Sequence, residues 1–206
     1  MDADELLNSY RAGEKKFTQV SLYSVILSEV CLPGINLAGA NLARATLSQA
    51  NLRGANLIEA NLTAASLWRT DLTRANMIWA NLKAANLIRA NLAQVDLHKA
   101  SLIKADLRLA NLRNADLSGV NLTGADLRYA NLSGAFLAGA NLRGANLTGA
   151  NLSKTDLSHA ILTKAILSKT DLSYVDFTEV DLTDVDLLYC LVSGETSPIQ
   201  GFLEAV

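Results

Sequence analysis

Residues 40–62 read ANLARATLSQANLRGANLIEANL, in which leucine returns at every fifth position and the residue before it is asparagine except at Thr46. The same period runs from Leu22 to Leu187 without an insertion or deletion, and 32 of its 34 central positions are leucine. The residue two places before each centre is alanine at 22 positions, and the residue directly before it is asparagine at 15 and aspartate at 10. The chain is therefore built mainly from one short repeat.

This period excludes a regular helix, because successive leucines would spread around the helix axis instead of sharing one face. The order small apolar, polar, leucine alternates with a period of two, which is typical of a short strand with both apolar residues on one side. The two remaining positions must form a corner. Nine of the 12 glycines occupy the second position after a centre, where a type II turn needs a positive φ angle. The sequence predicts a chain that winds into a closed coil with its apolar residues inside.

This pattern resembles the pentapeptide repeat family, whose motif A-(N/D)-L-x-x recurs from Ala40-Asn-Leu-Ala-Arg44 to Ala150-Asn-Leu-Ser-Lys154. The resemblance covers roughly 170 of the 206 residues. It implies an all-β solenoid, a right-handed quadrilateral β-helix with four pentapeptides per coil. On that geometry the repeats form about 8.5 coils and a rod about 41 Å long. The regular register and the segment from Leu6 to Phe17 look most like cyanobacterial members of the family.

Three segments follow from the pattern. Residues 1–16 are predicted to form a short N-terminal capping helix, with Asp2 or Asp4 at its start. Residues 17–192 form the pentapeptide repeat β-helix, and residues 193–206 form a C-terminal tail or a second cap. Since related proteins often dimerise end to end, the resemblance also implies a homodimer through the C-terminal end.

The composition argues against an enzyme. Histidine and cysteine each occur twice, and a packed interior of leucine and alanine leaves flat sides without a cleft. His98 and His159 fall about 14 Å apart on this geometry, which is too far to share a metal. We therefore expect no catalytic residue, no cofactor and no metal.

The compartment is predicted from the same composition. Cys31 and Cys190 fall about 38 Å apart and are expected to be free thiols, which favours a reducing environment. No stretch approaches the 18 apolar residues of a membrane span, and the acidic start Met1–Glu5 does not read as a secretory signal. We expect a cytoplasmic protein that does not bind a membrane.

Charge separates two candidate functions. If residues 20 apart stack, the side of the coil that contains Leu37 and Leu57 (the fourth side) has a net charge of −5, and no side exceeds +3. Direct binding of nucleic acid is therefore not expected. Some members of the family imitate DNA and inhibit or protect gyrase, a type II topoisomerase, and this is the alternative function. A duplex as long as the rod would carry about 24 charges, so the fourth side is a weak imitation.

The leading function is a non-enzymatic scaffold that binds an unidentified protein partner through a flat side of the β-helix. On the side that contains Leu27 and Leu47 (the second side), the variable positions of four successive coils form what we call the Arg–aromatic strip. Trp, Tyr and Arg are enriched at binding hot spots, whereas scattered exposed apolar residues are ordinary on any surface. The predicted partner-binding residues are Trp68, Arg69, Ile88, Arg89, Arg108, Leu109, Arg128 and Tyr129.

Overall fold

The computed structural model describes residues 1–193. One α-helix, α1 (Ala3–Arg11), precedes the repeats. The β structure consists of single-residue parallel bridges, of which the first joins Lys16 to Asn36 and the last joins Asp171 to Leu191. Every bridge joins residues 20 positions apart. Each coil therefore contains four pentapeptides and stacks on the next coil in register, as the family resemblance implies.

The hydrogen bonds of one pentapeptide explain why the same order of residue types recurs along the chain. The N–H groups of Asn41, Leu42 and Arg44 donate to carbonyls of the adjacent coils at 2.7 to 2.9 Å, and the Ala45 N–H closes the corner on the Leu42 carbonyl at 3.0 Å. The remaining N–H, that of Ala43, donates to the side-chain Oδ1 of Asn41 at 3.2 Å. All five donors are satisfied, so the recurring Asn or Asp completes the hydrogen bonding of its own corner.

The corners require a backbone conformation that most residues avoid. All 35 second positions after a centre, from Gln19 to Tyr189, have a positive φ, and 26 of them are not glycine. The prediction of positive φ at the nine glycines is confirmed, but glycine is not required there. Valine, isoleucine and threonine are absent from these 26 residues, because branching at Cβ makes the left-handed region especially unfavourable.

The interior is filled by the leucines and the small residues of the repeat. Leu42 to Leu172 of the five-residue frame are 0 to 1% exposed. Threonine replaces alanine inside the coil at three positions, where each hydroxyl donates to a backbone carbonyl at 2.6 to 2.9 Å. The buried polar groups are thus paired.

Helix α1 covers the first coil. Asp2 Oδ1 accepts the Glu5 N–H at 2.8 Å, so Asp2 is the residue that caps the helix. Leu6 is fully buried, and the Tyr10 hydroxyl donates to the Pro33 carbonyl at 2.7 Å. The predicted second cap at residues 193–206 lies, from residue 194 onward, outside the described residues. Within residues 1–193 no helix has the length and apolar character needed to cross a membrane.

A candidate partner-binding groove

The backbone aligns the Arg–aromatic strip. The 20-residue register places its four residue pairs on successive coils of the second side, and hydrogen bonds join them directly. The Arg69 N–H donates to the Ile88 carbonyl at 3.1 Å, and the Leu109 N–H donates to the Arg128 carbonyl at 3.0 Å. The relative positions of these side chains are therefore set by the coil.

Seven of the eight predicted residues line one groove of about 500 Å³. The groove is open, because it is formed by long side chains at the variable positions on top of a flat backbone. Arg69 does not line the groove and lies at its edge, with its guanidinium carbon 4.6 Å from the centre of the Trp68 ring. The groove residues are Trp68, Ile88, Arg89, Arg108, Leu109, Arg128 and Tyr129.

The apolar side chains change column halfway along the groove. Trp68 and Ile88 occupy the first position after a centre, whereas Leu109 and Tyr129 occupy the second. Arginines fill the other position of each coil. The result is a diagonal apolar stripe with one pair of arginines on each side.

The two arginine pairs differ in charge environment. Arg108 donates through Nε and Nη2 to the Asp106 carboxylate at 2.9 and 2.7 Å. Arg128 pairs with Asp126 at 2.9 and 2.6 Å, and Arg108 Nε also lies 3.7 Å from Asp126 Oδ2. Bidentate pairs of this kind fix the orientation of the guanidinium plane. This pair of arginines is therefore held in place and electrically neutralised.

The Asp126 carboxylate remains ionised in this network. Partial burial alone raises the pKa of Asp126, but hydrogen bonds and charge from Arg128 and Arg108 together hold that pKa below its ordinary value. Hydrogen bonding to Asp106, followed by its charge, raises the pKa of Arg108. The pair formed by Arg128 and Asp126 therefore stays charged at neutral pH.

Arg69 and Arg89 form the other pair and are exposed. Among residues 1–193 no carboxylate lies within ion-pair distance of either guanidinium. The groove thus presents uncompensated positive charge on one side of its apolar stripe only.

Gly149 shapes one end of the groove. A Cβ atom added to Gly149 would lie 2.6 Å from Cε1 of Tyr129, so the tyrosine ring lies directly over the glycine backbone. Sequence reasoning missed Gly149, Asp106 and Asp126 as parts of this site. Gly149 lies in the 20-residue column of Tyr129, and Asp106 and Asp126 each lie two residues before an arginine of the strip; these positions were the signal that could have found them.

Other surface features lie on the fourth side, apart from the groove. His159 Nδ1 lies 3.2 Å from Glu179 Oε2 on the fourth side. Within residues 1–193 no group of His, Cys, Asp or Glu side chains has a metal-binding arrangement. Phe136 is 53% exposed and occupies a position where the repeat has Asn or Asp.

The coil and the groove define a repeat protein of the β-helix class, whose outward side chains create its surface features. The chain belongs to the pentapeptide repeat family. The family described as Pentapeptide repeats matches it in eight copies, over residues 40–77, 75–114, 105–149, 121–158 and 150–187.

Solved structures share this fold. The protein is similar to HetL from the cyanobacterium Nostoc sp. strain PCC 7120, with 34% identity, a TM-score of 0.63, and coverage of 93% of this chain and 92% of HetL. It is also similar to QnrB1, a plasmid-mediated fluoroquinolone resistance protein, with 17% identity, a TM-score of 0.56, and coverage of 94% and 98%. The likeness to QnrB1 concerns the fold alone. No curated protein matches the chain.

Proposed function

We propose that this protein is a non-enzymatic interaction module that binds a partner protein through the groove of the Arg–aromatic strip. The main support is the convergence of Trp, Tyr and Arg side chains in one groove, since these residue types contribute most to binding at protein interfaces. Leu109 and Tyr129 are 47% and 62% exposed. Covering such apolar surface favours association.

The relative HetL supports a regulatory role for this binding. HetL is a pentapeptide repeat protein involved in heterocyst differentiation regulation. From HetL we extend to this chain only a regulatory role; binding of a partner protein through the groove is our own proposal.

A capture experiment tests the proposal. Tagged wild-type protein and an Arg69→Glu/Arg89→Glu variant serve as baits in a lysate of the source organism, and captured proteins are quantified by mass spectrometry. We expect at least one protein captured by the wild type to fall about tenfold with the variant, because two charge reversals at an exposed interface cost about 1 to 2 kcal/mol.

A matched control separates the groove from overall charge. Lys83→Glu/Lys154→Glu makes the same change in net charge on other sides of the coil, where both side chains are exposed. Its set of captured proteins should equal that of the wild type. If the groove variant also captures the same proteins as the wild type, the groove is not the binding site.

The second candidate is a DNA-mimicking inhibitor or protector of gyrase. Its support is a column of carboxylates on the fourth side, with Asp96, Asp116, Asp156 and Asp176 placed 20 residues apart or at multiples of 20. Phe136 interrupts this column, and each of the four accepts a hydrogen bond from its own corner, as Asp116 does from the Ser118 N–H at 2.9 Å. A supercoiling assay decides the matter: unchanged gyrase activity at micromolar protein eliminates this candidate.

We also infer the finer architecture from the family resemblance. The β-helix is right-handed and has about 8.5 coils, with residues 1–16 as its cap, 17–192 as its body and 193–206 as a tail or cap.

A cytoplasmic location is supported by the free thiols of Cys31 and Cys190. A homodimer through the C-terminal end is supported by exposed Tyr189 and Leu191, and sedimentation would distinguish it from a monomer.

A further inference from the structure

We propose that the occupant of the groove is an acidic amphipathic α-helix of the partner, lying along the rod with its carboxylates over Arg69 and Arg89. This inference rests on the proposed function and specifies the chemistry of the partner. It follows from three properties of the groove, which concern charge, backbone hydrogen bonding and spacing.

The charge of the groove is one-sided. Arg108 and Arg128 are neutralised by Asp106 and Asp126, so a carboxylate placed over them gains little and meets two acidic groups. Arg69 and Arg89 have no such compensation within residues 1–193. A complementary partner therefore has apolar residues along one line and acidic residues on one flank of that line, which is the pattern of an amphipathic segment.

The backbone N–H groups at the second position of each coil along the groove are not free to pair with an extended partner. The N–H groups of Arg69, Arg89 and Leu109 already donate to carbonyls of the next coil at 3.0 to 3.1 Å. A strand laid on this surface would find no free N–H at these residues, so its own carbonyls facing them would lose water without gaining a partner. A helix satisfies its backbone internally and docks through side chains alone.

The spacing of the groove matches a helix better than a strand. Coils stack about 4.8 Å apart, and one helical turn advances about 5.4 Å. Residues on the same face of a strand repeat about every 6.8 Å. Over the three coil spacings from Trp68 to Tyr129, the accumulated mismatch with the coils is about 2 Å for a helix and about 6 Å for a strand. Each turn of the helix therefore faces one coil, so that residues i, i+4, i+7 and i+11 contact the apolar stripe.

Trp68 provides a direct reporter of binding. The chain has two tryptophans, so a Trp79→Phe background leaves Trp68 as the only one. Three synthetic 16-residue peptides serve as probes: a helix with leucine at i, i+4, i+7 and i+11 and glutamate on one flank, the same helix with lysine in place of glutamate, and the glutamate peptide with two central prolines. Binding is measured from Trp68 fluorescence at low ionic strength, and circular dichroism checks that each protein variant is folded.

We expect the glutamate helix to saturate the fluorescence change and the lysine and proline peptides to bind at least about tenfold more weakly. Arg69→Glu/Arg89→Glu should weaken the glutamate helix by a similar factor, whereas Lys83→Glu/Lys154→Glu should not. If the proline peptide binds as tightly as the glutamate helix, the inference that the occupant is helical is wrong. If the glutamate and lysine helices bind equally, the inference that it is acidic is wrong. If no peptide saturates the signal at millimolar concentration, both inferences are wrong.

The outcomes separate this inference from the proposed function. If the groove variant loses a captured protein but the glutamate helix does not bind, the interaction function stands and its partner is of another kind. If the peptide binds but capture is unchanged by the groove variant, the groove has the inferred chemistry and the proposed function fails.

Discussion

The ring of Tyr129 lies over the backbone of Gly149, which is 20 residues further along the chain and one coil away. A side chain at Gly149 would occupy the space of the ring. The glycine therefore determines where Tyr129 points and how the groove ends.

Gly149→Ala should move Tyr129 out of its place and weaken partner binding. The new Cβ would lie 2.6 Å from Cε1 of Tyr129, and the residue has a φ of +68°. We expect a loss of about 1 kcal/mol in the free energy of unfolding from the left-handed backbone, together with weaker binding of the glutamate helix. Gly144→Ala is the matched control, since its φ is +64° and nothing lies within 4 Å of its added Cβ. Equal peptide affinity for the two variants would contradict the role of Gly149.

Phe136→Asn should stabilise the protein. Phe136 occupies an Asn or Asp position, so the Ala138 N–H lacks the side-chain acceptor that corners with Asn or Asp have. Restoring that hydrogen bond should raise the free energy of unfolding by about 1 kcal/mol, as measured by urea unfolding. Asn131→Ala is the reciprocal change, because Asn131 Oδ1 accepts the Ser133 N–H at 3.1 Å, and it should lower stability by a similar amount. Phe136→Asn with unchanged or lower stability would show that the phenyl ring contributes packing of equal value.

Asp126→Asn should tighten binding of an acidic peptide. The amide keeps the oxygen that accepts the Arg128 N–H at 3.1 Å but removes the charge that neutralises Arg128 and part of Arg108. We expect several-fold higher affinity for the glutamate helix at low salt, with the gain falling above about 0.1 M salt, where charges are screened over about 10 Å. The loss in stability should not exceed about 1 kcal/mol for such partly exposed pairs.

The control for this charge change is Asp116→Asn on the fourth side, where the side chain accepts the Ser118 N–H in the same way. It changes the net charge equally but should leave peptide affinity unaltered. If Asp116→Asn and Asp126→Asn tighten binding equally, the effect comes from overall charge.

Acid should destabilise the C-terminal coils. A hydrogen bond from the Thr178 hydroxyl is the largest cause that lowers the pKa of Asp176, Thr183 does the same for Asp181, and the Ser168 hydroxyl does so for Asp186. A carboxyl with a lowered pKa in the folded state contributes stability that is present above its unfolded pKa of about 3.9 and is lost as pH falls through the lower folded value. We therefore expect the thermal midpoint to fall below about pH 4.

Replacing these three aspartates with asparagine tests the cause. The amide oxygens still accept the same donors, so the variant should remain folded at neutral pH and its thermal midpoint should change less between about pH 4 and pH 2. A decline as steep as that of the wild type would place the acid-sensitive groups elsewhere in the chain.

Much of the fold and the membership of the groove could be predicted from the sequence. The alternation of Ala40, Asn41 and Leu42 determines which side chains enter the coil, because strand geometry sends alternate residues to opposite faces. Once residues 20 apart are stacked, as the family resemblance implied, the predicted strip from Trp68 to Tyr129 follows directly. The recurring Asn and Asp bond to local backbone, as Asn41 Oδ1 does by accepting the Ala43 N–H.

The periodic pattern does not determine which charged side chains pair or where long side chains point, and these features are seen only in the tertiary structure. The sequence placed Arg89 and Arg108 in one strip as equal charges, but the structure pairs Arg108 with Asp106 and leaves Arg89 without a carboxylate partner within residues 1–193. It also seats Tyr129 on Gly149. Backbone repetition determines where each Cβ lies, whereas the direction of a long side chain depends on the neighbours it meets one coil away. The repeat pattern therefore determines which side chains lie inside the coil, and the contacts between coils determine the charge and shape of its outside.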